Sequence, residues 1–403
     1  MKHLKILYIC TTFPKLSEQF IQREVDGLRK ESIELEIVSL WGGEKLYKGV
    51  IIRTFPKWKL LKLIWTLPWA IIRRPGVIAS RMTKFFSGQP PSPINFFETL
   101  LGYGFALSHW INVKRDLPDL IHGIWATSPV SAAQLLSGLT GVPFSMGAHA
   151  FDVFEDGGDW HLKEKLDEAR MVHSSSASTQ RQLLRLGADK EKLRVVRRGL
   201  TDYPDLTSLR KNRRPIRLLS VGRLVEKKGF FYQIDILKAL KKKGIPFQAR
   251  IVGSGELDGP LRDYRDKSGL HNELEFWGKL TFDAVQEQLI WADLFLFTGQ
   301  VSSRGDRDGL PNVIGEALAH GVAVLTTDVG ATTEAVEHAQ TGMILSANST
   351  DDWVETIENL VTDDLLLRKL RENGRKWVEE HFDAHKNAHK LFEAFQFAVR
   401  NRA

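Results

Sequence analysis

IRLLSVGRLVEKKGF, residues 216–230, starts as a short apolar run, passes a glycine into a basic loop and leads into an amphipathic segment. The run has strand length, and Phe230–Lys242 has helical periodicity. A strand that feeds a helix through a short polar loop is half of a βαβ unit. The pattern recurs downstream, where FQARIVG (247–253), LEFWG (274–278), ADLFLF (292–297) and AVLTT (323–327) read as strands, and Phe282–Trp291 and Val313–His320 as helices. Upstream it recurs again. ILYIC (6–10), LEIVSL (35–40), LIHGIW (120–125), PFSMGA (143–148) and MVHSSS (171–176) read as strands, with helices over Ser17–Lys30 and Pro129–Leu139. The polar stretch 201–215 interrupts the alternation as a linker, and 351–402 reads as helices only. The expected fold class is α/β: two doubly wound Rossmann-like domains facing a cleft. The boundaries are 1–210 for the N-terminal domain and 211–403 for the C-terminal one. The last helix, about 385–403, is a candidate to pack back on the N-terminal domain.

Composition sets limits. A chain of 403 residues with 43% apolar and 26% charged residues has the make-up of an ordinary two-domain globular protein. One cysteine, Cys10, rules out a disulfide framework and fits a reducing compartment. The apolar run in MKHLKILYIC is too short for a signal peptide, and no stretch has the length of a transmembrane helix. The expectation is a cytoplasmic protein. A net charge of +7 suits phosphate-rich partners, yet no nucleic-acid recognition module is present, so no nucleic-acid partner is expected.

Ligands of open parallel sheets bind beyond the carboxyl ends of the strands. There, after the strand in 216–222, stand Arg223 and Lys228. Two cations beside a helix N-terminus make a diphosphate clamp, although an isolated Arg-Lys pair is most often two solvated surface charges. Gly253 and Gly255 end the next strand, where backbone can approach a ligand closely; alone, a GxG is only a tight turn. DGLPNVIGEALAHG (308–321) then gives a loop and a helix with Pro311 in its first turn and Gly321 as its stop. Its free N–H groups around Leu310–Val313 can meet phosphate or sugar hydroxyls, and Glu316, one turn deeper, can accept hydrogen bonds from vicinal ribose hydroxyls. No acidic cluster of the DxD kind stands out, so no metal is expected.

In this order the motifs resemble the retaining glycosyltransferases of the family-4 type, which have the GT-B fold. GRLVEKKGF is similar to that family's GRL-x-x-x-KG, and DGLPNVIGEALAHG to its EG-x-P-x-x-x-x-EA-x-A-x-G. The resemblance implies that Arg223 and Lys228 contact the nucleoside diphosphate, that Glu316 holds the ribose, and that Gly309, Leu310, Pro311, Asn312 and Val313 offer backbone N–H groups. Asp308 stands where the family has a glutamate facing the donor sugar, one methylene shorter here. Gly278 and Lys279 fall in the segment that borders the base. TTFPKLSEQFIQRE (11–24) is similar to the FP-x-LSE-T-FI-x-RE opening of colanic-acid and exopolysaccharide transferases, and GVPFSMGAHAFDVF (141–154) to their GIPFSFTAHA-x-D-I-Y. That places His149 at the family's histidine near the reacting centre, with Asp152 as its neighbour. Ser17 and Glu18 occupy the first loop as candidate acceptor contacts.

The expected catalytic set is therefore His149, Asp308, Arg223 and Lys228. The expected reaction is retaining, metal-independent transfer from a nucleotide sugar, UDP being the default, to a carbohydrate or polyprenyl-linked acceptor in exopolysaccharide or lipopolysaccharide assembly. A nucleotide-sugar epimerase of the same fold and a non-catalytic sugar-binding scaffold are the alternatives.

One stretch stays outside this reading. Between Lys48 and Phe86 there are nine Lys or Arg, no Asp or Glu, and Trp58, Trp65 and Trp69. WKLLKLIWTLPWAIIRR (58–74) groups Lys59, Lys62 and Thr66 on one helical face, and Pro68 is expected to kink or end the helix. Residues 56–86 are either an interfacial helix meeting an anionic membrane, at the inner face of the cell membrane, or a helix packed within its domain with solvated lysines.

Overall fold

The computed structural model describes residues 3–206, 209–210 and 213–400. Thr207, Ser208, Lys211 and Asn212 of the expected linker, and Asn401 to Ala403 at the end of the expected last helix, lie outside the described residues. The chain divides into two compact units, Met1–Arg198 with Ala384–Ala403, and Gly199–Asp383. The change of unit thus falls at Arg198, ahead of the expected 210, and the chain returns to the first unit at Ala384. The linker is part of the second unit because its arginines are tied down there. Arg210 Nε donates to Asp293 Oδ1 at 2.9 Å, and Arg213 Nε to the Val361 carbonyl at 3.0 Å.

The first unit holds β1 (Leu4–Cys10), β2 (Ile33–Ser39), β3 (Leu46–Tyr47), β4 (Val50–Thr54), β5 (Leu120–Gly123), β6 (Phe144–Gly147), β7 (Met171–Ser174) and β8 (Leu193–Val195). They form one sheet in the order β3-β4-β2-β1-β5-β6-β7-β8, parallel except for the β3–β4 pair. On β1, Leu7 and Ile9 enter one core while Ile6, Tyr8 and Cys10 enter another. Burial on both faces is why this strand is a continuous apolar run. Each such side chain contributes about 1.5–3 kcal/mol over exposure.

The last helix, Ala384–Arg400, covers one face of that sheet with Ala388, Leu391 and Phe395. It crosses the helix Gln19–Leu28 where a Cβ on Gly27 would stand 2.5 Å from the Ala388 Cβ.

The second unit has β9 (Ile216–Val221), β10 (Phe247–Val252), β11 (Leu274–Gly278), β12 (Leu294–Phe297), β13 (Ala323–Thr327) and β14 (Gly342–Leu345). All are parallel, in the order β11-β10-β9-β12-β13-β14. From β9 the chain builds outward in one direction, then returns to build from β12 in the other. The switch point lies between β9 and β12, where such sheets bind ligands.

Gly27→Val tests the helix crossing. Overpacking of this kind costs about 1–3 kcal/mol, so the variant is expected to melt earlier than the parent. An unchanged melting curve would mean that the two helices do not meet at Gly27.

Candidate functional site

The loops after β9 and β12 are bound to each other at the switch point. Gln300 N–H donates to the Lys227 carbonyl at 2.9 Å, and Thr298 Oγ1 to the Gly229 carbonyl at 3.0 Å. Glu226 accepts from Ser303 N–H and Ser303 Oγ, both at 2.8 Å. Gly229 has φ +66°, and a Cβ there would lie 1.8 Å from the Thr298 carbonyl oxygen. Only glycine permits both the left-handed backbone and the contact.

This stitching sets a charge cluster. Lys228 Nζ donates to Asp308 Oδ2 at 2.7 Å and lies 4.9 Å from the centre of the Phe297 ring. Lys227 Nζ stands 2.7 Å from Asp306 Oδ2 and 3.6 Å from Asp308 Oδ1. Lys227, Lys228 and Asp308 are all largely buried, with side chains 4%, 11% and 16% exposed. Burial pushes the Lys228 ammonium below the ordinary lysine value, against the pull of Asp308. Burial opposes ionisation of Asp308, but Lys228 and Lys227 win and hold its carboxyl below the usual range. Arg223 is exposed beside them. Removing one partner from a buried pair typically costs about 3–5 kcal/mol, so the cluster ties the loops after β9 and β12 together.

The helix expected over Val313–His320 runs Asn312–Ala319, and Pro311 stands just before it in extended backbone (φ −66°, ψ 126°), not in its first turn. No side chain caps that end. Asn312 Oδ1 is buried without a hydrogen-bond partner among the described residues. Leu310 is buried, Gly309 and Val313 are half-buried, and Glu316 is 9% exposed, one turn into the helix. A Cβ on Gly330 would sit 2.0 Å from the Asp308 carbonyl oxygen, so the loop after β13 backs the Asp308–Gly309 turn.

Gly253 stands just past the end of β10. Its N–H donates to the Gly278 carbonyl at 2.8 Å, and a Cβ would meet the Gly222 carbonyl oxygen at 1.8 Å. Its role is to let the end of β10 close against the end of β9. Lys279 is exposed past the edge strand β11. Lys227 was missed by the sequence reading. The doublet Lys227-Lys228 was its only signal, and only the turn of Glu226–Lys228 shows that both lysines point inward.

In the first unit, Ser17 is exposed and Glu18 forms an ion pair with Lys15 at 2.7 Å. His149 follows β6 and is 3% exposed. Asp152 fixes its backbone, accepting from the N–H groups of His149 (3.1 Å), Ala150 (2.8 Å) and Ala126 (3.1 Å). Thr179 Oγ1 donates to the His149 carbonyl at 2.8 Å. The His149 ring meets His173 edge-on at 4.9 Å, and His173 meets His122 at 5.2 Å. Gly147 leaves room for the rings, since a Cβ there would lie 2.7 Å from His149 Nε2. Burial, then the neighbouring imidazoles and Arg198, keep His149 neutral well below the ordinary histidine value. His149 can therefore donate one hydrogen bond and accept another, but it carries no charge at neutral pH. Among the described residues no three His, Cys, Asp or Glu are arranged to hold a metal ion.

The "Glycosyl transferases group 1" family matches residues 205–377, the part that carries the Lys228–Asp308 cluster. The amylovoran biosynthesis glycosyltransferase AmsK of Erwinia amylovora is 27% identical over 98% of this chain and 99% of its own length. The putative colanic acid biosynthesis glycosyltransferase WcaL of Escherichia coli is 29% identical over half of each chain. Anabaena HepE, solved with UDP-glucose, superimposes with a TM-score of 0.69 at 16% identity, covering 98% of this chain and all of that one. The lipopolysaccharide outer core galactosyltransferase WaaB superimposes at 0.68 and 14%, covering 99% of this chain and all of that one.

The histidine cluster makes a pH prediction. Burial depresses His122, His149 and His173, the last to about 3. The folded state thus binds fewer protons than the unfolded chain, and stability present above pH 6.5 is lost as pH falls. Glu24 and Glu98, both raised to about 7 chiefly by burial, act the opposite way between 7 and 4.5 and offset two of the three histidines. Below pH 4.5 the offset from Glu24 and Glu98 fades, and the histidine contribution is lost more steeply as pH falls. His122→Asn is expected to lower that slope by up to about 1.4 kcal/mol per pH unit, the contribution of one proton, in denaturant titrations. An unchanged slope would contradict burial of a neutral cluster.

Residues 205–377 thus match the group 1 glycosyl transferase family, in a chain whose two parallel sheets have the GT-B fold.

Proposed function

We propose that this glycosyltransferase moves a hexose, with retention and without a metal, from a UDP-sugar to a carbohydrate or polyprenyl-linked acceptor. Its setting is the cytoplasmic side of cell-surface polysaccharide assembly. The observation that carries the reading is the Lys228–Asp308 pair at the switch point, with exposed Arg223 beside it. The uncapped helix start at Asn312 and Glu316 one turn deeper complete the set. The names of AmsK and WcaL support a polysaccharide product, and the HepE complex supports UDP.

Cleavage of the sugar–phosphate bond builds negative charge on the departing diphosphate. Lys228, Arg223 and the helix N–H groups stabilise that charge more in the transition state than in the bound donor. Before the donor arrives, Asp308 occupies Lys228. The diphosphate must compete for the ammonium and, once it has it, leaves the Asp308 carboxylate free to accept hydrogen bonds from sugar hydroxyls. Glu316 accepts from the ribose hydroxyls. The acceptor attacks from the face the diphosphate leaves, and a phosphate oxygen takes its proton. His149 acts as a neutral hydrogen-bonding group.

Lys228→Ala and Glu316→Ala are each expected to lower kcat/KM by about 10²–10³ in a transfer assay run with excess EDTA at a temperature where both variants remain folded, Lys228→Ala also melting earlier because it leaves Asp308 without its nearest buried partner. Near-normal transfer by both variants would overturn the site, and a loss in EDTA restored by magnesium would overturn metal independence. Burial lowers Lys228, so the alkaline limb of kcat/KM, which reports the free enzyme, is expected below the ordinary lysine value. Bound diphosphate favours the ammonium, so the limb of kcat should lie higher. Coincident limbs would mean that Lys228 does not meet the diphosphate.

A further inference from the structure

The segment left outside the site has an inverted surface. A 3₁₀ stretch, Lys57–Lys62, continues into the helix Leu63–Arg73, which runs on through Pro68 instead of ending there. Thr66 was expected beside Lys59 and Lys62 on a polar face. It is instead 3% exposed, its hydroxyl turned back to the Lys62 carbonyl at 2.9 Å. Thr66 and Ala70 form the buried face, against the helix Pro93–Arg115, whose Trp110 Nε1 donates to the Thr66 carbonyl at 3.4 Å. The outward face carries Trp58, Leu61, Ile64, Trp65, Trp69 and Ile72, from 42% to 73% exposed. A helix that turns threonine and alanine inward and tryptophan and isoleucine outward is not oriented by its own core. The rim is cationic: Arg73 lies over the Trp69 ring at 4.5 Å and Lys57 over the exposed Trp41 ring at 4.4 Å. Among the described residues Lys59, Lys62, Arg73 and Arg74 make no ion pair, and no acidic residue occurs from Lys48 to Phe86.

We propose that this face docks the protein on the surface of an anionic lipid bilayer, its tryptophans and isoleucines entering the headgroup–acyl boundary and its lysines and arginines meeting lipid phosphates. Apolar area with tryptophan and basic flanks is the composition of interfacial helices. Charge selects a lipid surface over a second copy of this chain, because two such faces would bring like charges together. Among the described residues no helix is long and apolar enough to cross a membrane, so the contact lies on the surface. The inference deepens the transferase reading by naming the surface on which a lipid-linked acceptor would be met.

The test uses the full chain and vesicles of phosphatidylglycerol and phosphatidylcholine, with sedimentation as readout. Binding is expected to anionic vesicles and to weaken with salt, each basic residue near the surface being worth about a fivefold factor. The double variant Trp65→Ser, Trp69→Ser is expected to bind at least about tenfold more weakly at an unchanged melting temperature. UDP should raise that temperature equally in parent and variant. Equal binding to pure phosphatidylcholine, no binding at low salt, or lipid-free self-association that the double variant abolishes would each overturn the docking surface. If UDP still stabilises the protein in those cases, the transferase reading stands. If UDP does nothing while vesicles bind, that reading fails and the surface stands.

Discussion

A buried ammonium facing a buried carboxylate, Lys228 on Asp308, is the contact on which the second unit depends. It joins the loops after β9 and β12, the two strands at which the sheet reverses its direction of growth. Such a pair holds only if the backbone delivers both groups. Gly229 does so by accepting a left-handed turn against the Thr298 carbonyl, and Gly253 and Gly330 do so by letting neighbouring loops close without a side chain. Lys227 and Asp306 add a second pair behind the first. The result is a cluster in which two lysines and two aspartates balance, with the exposed Arg223 beside it.

Much of this architecture is legible in the sequence, and the reason is burial. β12 is covered on both faces, so LFLF appears as an uninterrupted apolar run, whereas β10 alternates, turning Phe247, Ala249 and Ile251 into the core and leaving Gln248 exposed and Arg250 half-buried. β3, β4, β8 and β14 escaped notice because they are two to five residues long and lie at or near sheet edges, where little burial marks them. The domain boundary was misplaced for another reason. Residues after Arg198 look like a linker because they are polar, but polar residues such as Arg210 and Arg213 also dock by ion pairs and carbonyl contacts, which composition does not distinguish from solvation.

The site was legible unevenly. Arg223, Lys228, Asp308 and Glu316 stand out through their spacing around glycine and proline. The inward turn of Lys227 and the closing role of Gly253 depend on contacts between loops distant in sequence. The helix at 63–73 shows the opposite failure: its pattern suggested that a threonine beside lysines faces water, yet packing against Trp110 chose the small face. His149 shows a third kind of limit. Its position was readable by resemblance, whereas its neutrality comes from His173, His122 and Arg198 gathered around it by the first sheet.

The most direct measurement is calorimetric titration of UDP into the parent, Asp308→Asn and Lys228→Met. UDP lacks the sugar, so it isolates the contest between Asp308 and the diphosphate for one ammonium. The account predicts that Asp308→Asn binds UDP at least as tightly as the parent, while Lys228→Met binds it much more weakly. If Asp308→Asn lost affinity as severely as Lys228→Met, the carboxylate would not be a displaceable counter-ion, and the account of the cluster would be contradicted.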